Sequence, residues 1–394
     1  MITTLVLKAI RACNLRCPYC YYINDKTENY GTAMSVECAK RLYSALSSYL
    51  RVKRLGASLI WHGGEPLALG RTRFQALLDA QREYFEPETV INCLQTNGVL
   101  IDEEWADFIE RNDLKVGISL DGPAEVQDWL RPKVGGQGSY EDVLRAMELL
   151  ARRGISFGVI AVANPNVDGA AVVRHFRELG IGGCDLLIPM TNHALQRRLP
   201  MLGEHDSAID MSGLKRYLVS AFREWIVADD PTVRIRLFEA LILNSLGIQQ
   251  SCNNAGASEE IMGRVAVVET DGELCMDTEF GEIEKNGLGA EYRLGLNVFD
   301  DGFTFARTQE VLEERIKSRG LGKLPQECGY CPVRTVCRGS HPGTRFDDSD
   351  GSFNHRSAYC EAMYELSAEV VGYLYRNGYG SQLVDPELRN LIAN

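Results

Sequence analysis

Three of the chain's 12 cysteines fall within eight positions, in RACNLRCPYCYY at residues 11–22. Cys13 is followed by three residues, then Cys17, then two residues and Cys20, directly after the apolar run TTLVLKAI. A four-iron, four-sulfur cube normally takes one cysteine thiolate on each iron. Three thiolates therefore leave one iron without a protein ligand. A closed zinc site wants four ligands, so zinc here would have to borrow a distant fourth group, and the spacing favours the cube with one open corner.

An open iron accepts an outside ligand. The amino and carboxylate groups of S-adenosylmethionine (SAM) would chelate it and bring the sulfonium close enough to be reduced. The C–S bond then breaks homolytically to give a 5′-deoxyadenosyl radical, a reaction whose difficult part belongs to the cofactor while the protein supplies position and electrostatics. A second set, Cys328-x2-Cys331-x5-Cys337 with Cys360 downstream, suffices for a fully ligated site, either a structural zinc ion or a complete cluster. Cys38, Cys93 and Cys184 stand alone and are expected to be small buried apolar residues.

The elements that must hold these residues follow a simple rhythm. Short β-branched runs (TTLVLKAI, ASLIW, VINCLQ, LKVGISL, SFGVIAVA, CDLLIP) alternate up to about residue 190 with segments of helical period near 35–50, 71–85, 102–111, 140–153 and 168–179. Six such units predict an α/β fold with a parallel sheet, right-handed crossovers, and functional groups where strands end. The cysteine trio follows the first strand, HGGEP the second, TNG the third and SLDGP the fourth. After residue 200 the pattern changes to helices near 211–227 and 234–247, then to RVAVVETDGELCMD, where Asp271-Gly272 reads as a hairpin turn. YCEAMYELSAEVVGYLYR closes the chain as an amphipathic helix.

The chain has 394 residues, 45% of them apolar and 24% charged, as in an ordinary globular protein of two domains or one barrel with an appended module. A net charge of −12, dispersed rather than blocked, disfavours nucleic acid and anionic membranes as partners. A basic peptide remains open as a partner. No export signal and no uninterrupted apolar run of about 18 residues is present, which fits a cytoplasmic protein whose clustered cysteines bind metal rather than form disulfides.

Residues 5–190 resemble the radical SAM superfamily, carried by the cysteine trio, WHGGEP, QTNG, SLDGP and DWLRP. The resemblance implies a partial (β/α)6 TIM-type barrel holding SAM and a [4Fe–4S] cluster on Cys13, Cys17 and Cys20. It places Tyr19 near the adenine, the stretch Gly63, Gly64 and Glu65 at the methionyl amino group, and Ser119 and Arg131 at the SAM ribose and carboxylate. His62 is expected to be structural and Gln95 to Gly98 to line the site.

CGYCPVRTVCRGS resembles the SPASM extension, a cysteine-rich, twitch-like module whose members modify peptides and carry auxiliary [4Fe–4S] clusters. That implies at least one auxiliary cluster, held by Cys328, Cys331, Cys337 and Cys360. The chain departs from the full pattern, because His341 stands where a further cysteine belongs and no cysteine lies between Cys252 and Cys275. Those two are expected to be plain core residues. The implied division is a core at 1–205, bridging helices at 206–250 and the extension at 251–394.

Further motifs, among them RPKVGGQGSYEDVLRAMELL, VRIRLFEALI and SAYCEAM, resemble maturases that forge cyclophane rings in ribosomally made peptides by joining an aromatic carbon to a β-carbon two residues later. Anaerobic sulfatase maturases share the architecture, and in them an aspartate directly after a SPASM cysteine is the base. Here Met276 separates Cys275 from Asp277, which leaves Asp277 a candidate base with an exposed hairpin carboxylate as the alternative. Formylglycine or thioether formation is the rival within the enzyme class, and a non-catalytic iron–sulfur or zinc scaffold the rival outside it. The implied partners are a precursor peptide and a low-potential electron donor such as flavodoxin or ferredoxin. With the first strand beginning at residue 3, no leader-recognition domain is expected ahead of the barrel, so the peptide would dock on the barrel mouth, the extension or another protein.

Overall fold

A computed structural model of the chain describes all residues except 21, 24–29, 203–208, 253–254, 257–258, 282, 284–290, 386 and 391–394. Six parallel strands form its centre: β1 (Thr4–Ile10), β2 (Ala57–Gly63), β3 (Val90–Thr96), β4 (Lys115–Ser119), β5 (Phe157–Val162) and β6 (Gly183–Leu187). They pair in chain order, each joined to the next through a helical segment: α1 (Val36–Lys53), α2 (Arg71–Arg82), α3 (Glu103–Arg111), α4 (Ala124–Leu130) with α5 (Tyr140–Arg152), and α6 (Gly169–Glu178). The expected strands and the expected helices of this half are all present. The helix α4, short and directly before Arg131, was not anticipated.

Burial on both faces explains the composition of the strands. In β2, Ala57, Leu59, Trp61 and Gly63 are buried while the alternate residues are partly so. Trp61 packs edge-on against Phe74 of α2 at 4.9 Å between ring centroids, which turns His62 to the other face, beside Lys8 of β1 in the paired register. Ser35, Asp102 and Asp168 cap α1, α3 and α6 by accepting from the backbone N–H groups of Cys38, Trp105 and Ala170, each worth about 1 kcal/mol. These caps fix where each strand-to-helix loop ends, and so how much chain is free to form a site.

The sheet does not stop at the barrel. Beyond β6 it takes in a two-residue strand, β7 (Arg234–Ile235). At its other edge β8 (Val265–Val268) pairs parallel with β1, then β9 (Glu273–Cys275) and β10 (Arg293–Asn297) add antiparallel. The turn between β8 and β9 is the one read at Asp271-Gly272, with Gly272 at φ +86°. α7 (His193–Leu202), α8 (Met211–Ala228) and α9 (Arg236–Ser245) follow the barrel, and the closing helix Cys360–Leu374 packs against α8 and α9. Cys38 and Cys184 are buried as expected. Cys93 is not fully buried: at the middle of β3 it stands opposite Lys115, the first residue of β4, and is only partly covered.

Candidate active site

The cysteine loop is docked by its backbone on the end of β2 and on the loop between α4 and α5. Gly64 N–H donates to Ile10 O at 2.9 Å and Glu65 N–H to Ala12 O at 2.8 Å. On the other side Arg16 N–H donates to Pro132 O and Val134 N–H to Asn14 O. The glycines of WHGGEP make this approach possible. A Cβ on Gly64 would lie 2.2 Å from the Ala12 carbonyl oxygen, and one on Gly63, at φ +129°, 2.5 Å from that of Ile10. The close approach is therefore to the cysteine loop itself.

Glu65 is fully enclosed, and its carboxylate accepts from Leu67 N–H at 3.0 Å, Thr96 hydroxyl at 2.7 Å and Asn97 N–H at 2.8 Å. Burial pushes its carboxyl up to about 7 against the pull of these donors. The side chain braces the ends of β2 and β3 against each other. Asn97, from the TNG stretch given only a lining role, reaches the cysteines: its Nδ2 donates to Asn14 Oδ1 at 2.8 Å and lies 3.8 Å from Cys13 Sγ. Gln95 donates to the Ser119 hydroxyl at 3.2 Å, across the ends of β3 and β4.

Tyr19 and Arg131 meet on Asp121. The Arg131 guanidinium makes a two-pronged ion pair with it, Nε to Oδ2 at 2.8 Å and Nη2 to Oδ1 at 3.0 Å, and the Tyr19 hydroxyl donates to Oδ2 at 2.5 Å. Arg131 also lies over the Tyr19 ring, 5.5 Å from its centroid. Burial and the neighbouring Asp121 raise the Tyr19 hydroxyl well above its usual range. Asp121 in addition accepts from Val162 N–H at 2.9 Å, so it joins the cysteine loop, the end of β4 and the end of β5. Within SLDGP the sequence gives it no role of its own. Its one signal was an aspartate at a strand end ten residues before an arginine.

A second polar group faces the trio from the extension. Glu269, at the end of β8, accepts from Arg11 at 2.7 Å, Tyr22 at 2.9 Å and Tyr292 at 2.7 Å. Lys8 is buried nearby with its ammonium 4.4 Å from the Tyr22 ring centroid, and burial pushes it down to about 8 against the opposing charge of Glu269. Burial, reinforced by Lys8, lowers His62 to about 3, so this ring is a neutral structural group as expected. None of Lys8, Arg11, Tyr22, Glu269 and Tyr292 was singled out, because the contacts of Glu269 with Arg11 and Tyr22 join segments about 250 residues apart.

The trio itself suits a cluster. Burial pushes Cys13 up to about 11, with Glu65 and Cys20 adding to the rise, and Cys17 up to about 12, with Cys20 and Cys13 adding to it. Such thiols become thiolates only when a bound cation supplies the compensating charge. Two of the sulfurs already have backbone donors, Leu15 N–H to Cys13 Sγ at 3.4 Å and Ile23 N–H to Cys20 Sγ at 3.3 Å, the kind of hydrogen bond that tunes a cluster. Among the described residues no group of three or more His, Cys, Asp or Glu side chains is gathered tightly enough for one metal ion.

The second set is brought together in full. Cys328, Cys331, Cys337 and Cys360 line one cavity, open in part to solvent, together with Val333 and Tyr364. Cys360 is the first residue of the closing helix, whose positive dipole end works against the burial that pushes this thiol up to about 11. Arg345, buried beside the quartet, donates to the carbonyls of Gly339, Lys323 and Ser340 at 2.6, 2.9 and 2.7 Å. Its charge would offset part of the negative charge of a four-thiolate site, and sequence spacing offered no hint of it. Cys252 and Cys275 both lie buried in the apolar core.

Asp277 is partly exposed in the connection between the antiparallel strands β9 and β10. It sits beyond β9 and caps a short turn, Thr278–Phe280, through Glu279 N–H. Its Oδ2 lies 3.8 Å from His341 Nε2.

Residues 7–179 match the Radical SAM superfamily. Over 384 residues the chain is 27% identical to the serine-type anaerobic sulfatase-maturating enzyme of Bacteroides thetaiotaomicron, covering 92% of this chain and 87% of that one. With the cysteine-type enzyme of Clostridium perfringens it shares 27% over 377 residues, 93% and 95% of the two chains. The solved structure of native anSMEcpe with bound AdoMet and Cp18Cys peptide superposes with a TM-score of 0.76 at 25% identity, over 100% of this chain and 99% of that one. The trio at the end of β1, the braced glycine loop and the family match agree: residues 7–179 are the radical SAM domain of an enzyme, with SAM and a [4Fe–4S] cluster as its cofactors.

Proposed function

We propose that this enzyme modifies a ribosomally made precursor peptide, joining an aromatic carbon to a β-carbon in a cyclophane ring. The observation that carries the peptide reading is the likeness along the whole chain, barrel and extension together, to sulfatase-maturating enzymes, one of them with peptide bound. The motifs RPKVGGQGSYEDVLRAMELL and SAYCEAM favour the crosslink. Formylglycine formation is the second reading, favoured by the printed activities of those same relatives.

SAM bound with a cluster on Cys13, Cys17 and Cys20 supplies a radical able to remove a hydrogen atom from carbon. The remaining work falls to side chains. Tyr19 and Arg131, locked on Asp121, and Ser119, steadied by Gln95, form the polar wall offered to SAM. Glu65 keeps the glycine loop and Asn97 in place against the cysteines. Coupling to an arene also requires a proton acceptor and a one-electron acceptor. Asp277 is the candidate for the first, and the quartet Cys328, Cys331, Cys337 and Cys360, holding an auxiliary cluster, for the second. A cytoplasmic setting and a flavodoxin- or ferredoxin-type donor complete the proposal.

The test is anaerobic incubation of reconstituted enzyme with dithionite, SAM and an aromatic-rich peptide, beside a sulfatase-derived peptide. Crosslinking removes two hydrogens, blocks backbone fragmentation between the joined residues and leaves nothing reactive toward a hydrazide. A hydrazide-reactive product from the second peptide alone would transfer the proposal to formylglycine chemistry, and release of no 5′-deoxyadenosine under any condition would overturn both.

A further inference from the structure

Arg345 is 2% exposed, and among the described residues every hydrogen bond of its guanidinium goes to a backbone carbonyl. Nε donates to Gly339 O at 2.6 Å, Nη2 to Ser340 O at 2.7 Å and to Arg338 O at 3.4 Å, and Nη1 to Lys323 O at 2.9 Å. The charges that act on it are those of Cys328, Cys337 and Tyr359, with no carboxylate among them. Arg334, which also borders the quartet's cavity, is by contrast neutralised by Asp385 at 3.0 Å and Glu387 at 2.8 Å.

The carbonyls from Arg338 to Ser340 belong to a run of left-handed residues, with φ of +55°, +76° and +57°. Only the middle one is glycine. Such a run is costly for L-residues and persists where its surroundings hold it, and the holder here is Arg345. The run starts directly after Cys337, and Gly339 and Ser340 line the cavity together with the four cysteines. A Cβ on Gly339 would lie 2.8 Å from Arg345 Nη2, and the Ser340 hydroxyl lies 3.5 Å from Cys337 Sγ. The guanidinium therefore backs onto the cavity wall. Thr344, the residue before it, ties the same segment to the opposite wall, its hydroxyl bonding His341 O at 2.6 Å and Ser357 Oγ at 2.9 Å.

We propose that Arg345 sets the reduction potential of the iron–sulfur cluster held by Cys328, Cys331, Cys337 and Cys360, as a fixed positive charge that makes this cluster a readier acceptor of an electron from the substrate. This inference rests on reading the quartet as an auxiliary cluster and names the residue that fits it for that role. A cube on four thiolates is negative in both oxidation states and more so when reduced, so a nearby cation favours the reduced form and raises the potential. The thiols register the same charge: burial raises Cys328, and Arg345 works against that rise. The step served is a one-electron oxidation. A substrate-derived radical gives up one electron, which reduces the cluster by one unit, and one proton, which passes to a base, leaving a closed-shell product.

The experiment uses the full chain with Cys13, Cys17 and Cys20 replaced by alanine and reconstituted anaerobically with iron and sulfide, so that the quartet's cluster is the one observed. Its midpoint potential is read by redox titration followed by electron paramagnetic resonance, and thermal unfolding is recorded on the same samples. Arg345→Gln removes the charge and should lower the reduction equilibrium by about tenfold or more, which is about 59 mV for a one-electron couple. Arg345→Lys keeps the charge but not the fork that grips several carbonyls, so its potential should stay within about threefold of the parent while its melting temperature falls. An arginine with a merely structural role would move the melting of both variants and the potential of neither.

Should Arg345→Gln fail to fold, Arg345→Met takes its place with the same expected fall. An unmoved potential in an iron-loaded neutral variant, or a tenfold fall in Arg345→Lys, would overturn the inference. A parent chain that binds zinc instead of a cluster would overturn the cluster reading and this inference together. Absence of peptide product from the enzyme with its trio intact would instead defeat the peptide reading, and the potentials, which need no peptide, would still decide the role of Arg345.

Discussion

Asp121 carries more of the site than its place in a turn suggests. It is buried, its only cationic partner among the described contacts is Arg131, and it also holds the Tyr19 hydroxyl and the Val162 amide. Replacing one member of such a pair leaves the other charged and buried without compensation, a cost of about 3–5 kcal/mol. Asp121→Asn is therefore expected to lower the thermal midpoint sharply and to weaken SAM binding, measured by equilibrium dialysis on folded protein at low temperature. Arg131→Lys keeps the charge but cannot reproduce the two-pronged contact, and its binding loss should exceed its stability loss. Unchanged SAM affinity in both variants would remove this pair from the binding wall. The trio was legible because thiolates at that spacing have few other uses. Asp121 was not, because an Asp-Gly-Pro turn is common and its partners lie on segments that only the fold brings together.

At the scale of elements, the close approach between the cysteine loop and the end of β2 makes a clean comparison possible. Gly64→Ala would drive a methyl group into the Ala12 carbonyl, a backbone atom that can retreat only if the cysteine loop moves. Gly183→Ala, in β6, places its methyl where nothing lies within 4 Å. Gly64→Ala should reduce iron loading and 5′-deoxyadenosine release at least tenfold, while Gly183→Ala leaves both near wild type, as read by iron content and by chromatography of the nucleoside. Equal behaviour of the two would mean that the loop tolerates displacement.

The same comparison of elements shows what the sequence could reveal. Strands β1 to β6 announce themselves because both faces are covered and the residues are correspondingly β-branched and apolar. β10, RLGLN with a glycine at φ +69° and a register shift against β9, has no such run. The helix Phe305–Ser318 buries a thin stripe, with Phe305, Leu312 and Ile316 among mostly polar residues. Its place is set by packing on Tyr49 of α1, a contact that periodicity does not report.

The whole molecule is one sheet with two cysteine sites, and that continuity decides how the sites depend on each other. β8 pairs with β1 from Thr4–Val265 to Leu7–Val268, and Glu269, the next residue, grips Arg11 and Tyr22 of the cysteine loop. The extension is thus fixed to the strand that carries the trio. The quartet lies elsewhere, around its own cavity and braced by Arg345 and the closing helix. A defect confined to the quartet should then leave the trio's surroundings intact. Cys328→Ala removes one ligand from the cavity without touching β1, β8 or the Glu269 contacts. Iron content should fall and peptide product should cease, yet 5′-deoxyadenosine should still form in the presence of dithionite and SAM. Replacing Cys13, Cys17 and Cys20 with alanine should abolish the nucleoside and the product together. If Cys328→Ala instead released no nucleoside while remaining folded by circular dichroism, the quartet would be needed for the barrel chemistry itself. The sheet from β10 to β6 would then couple the two sites more tightly than its contacts imply.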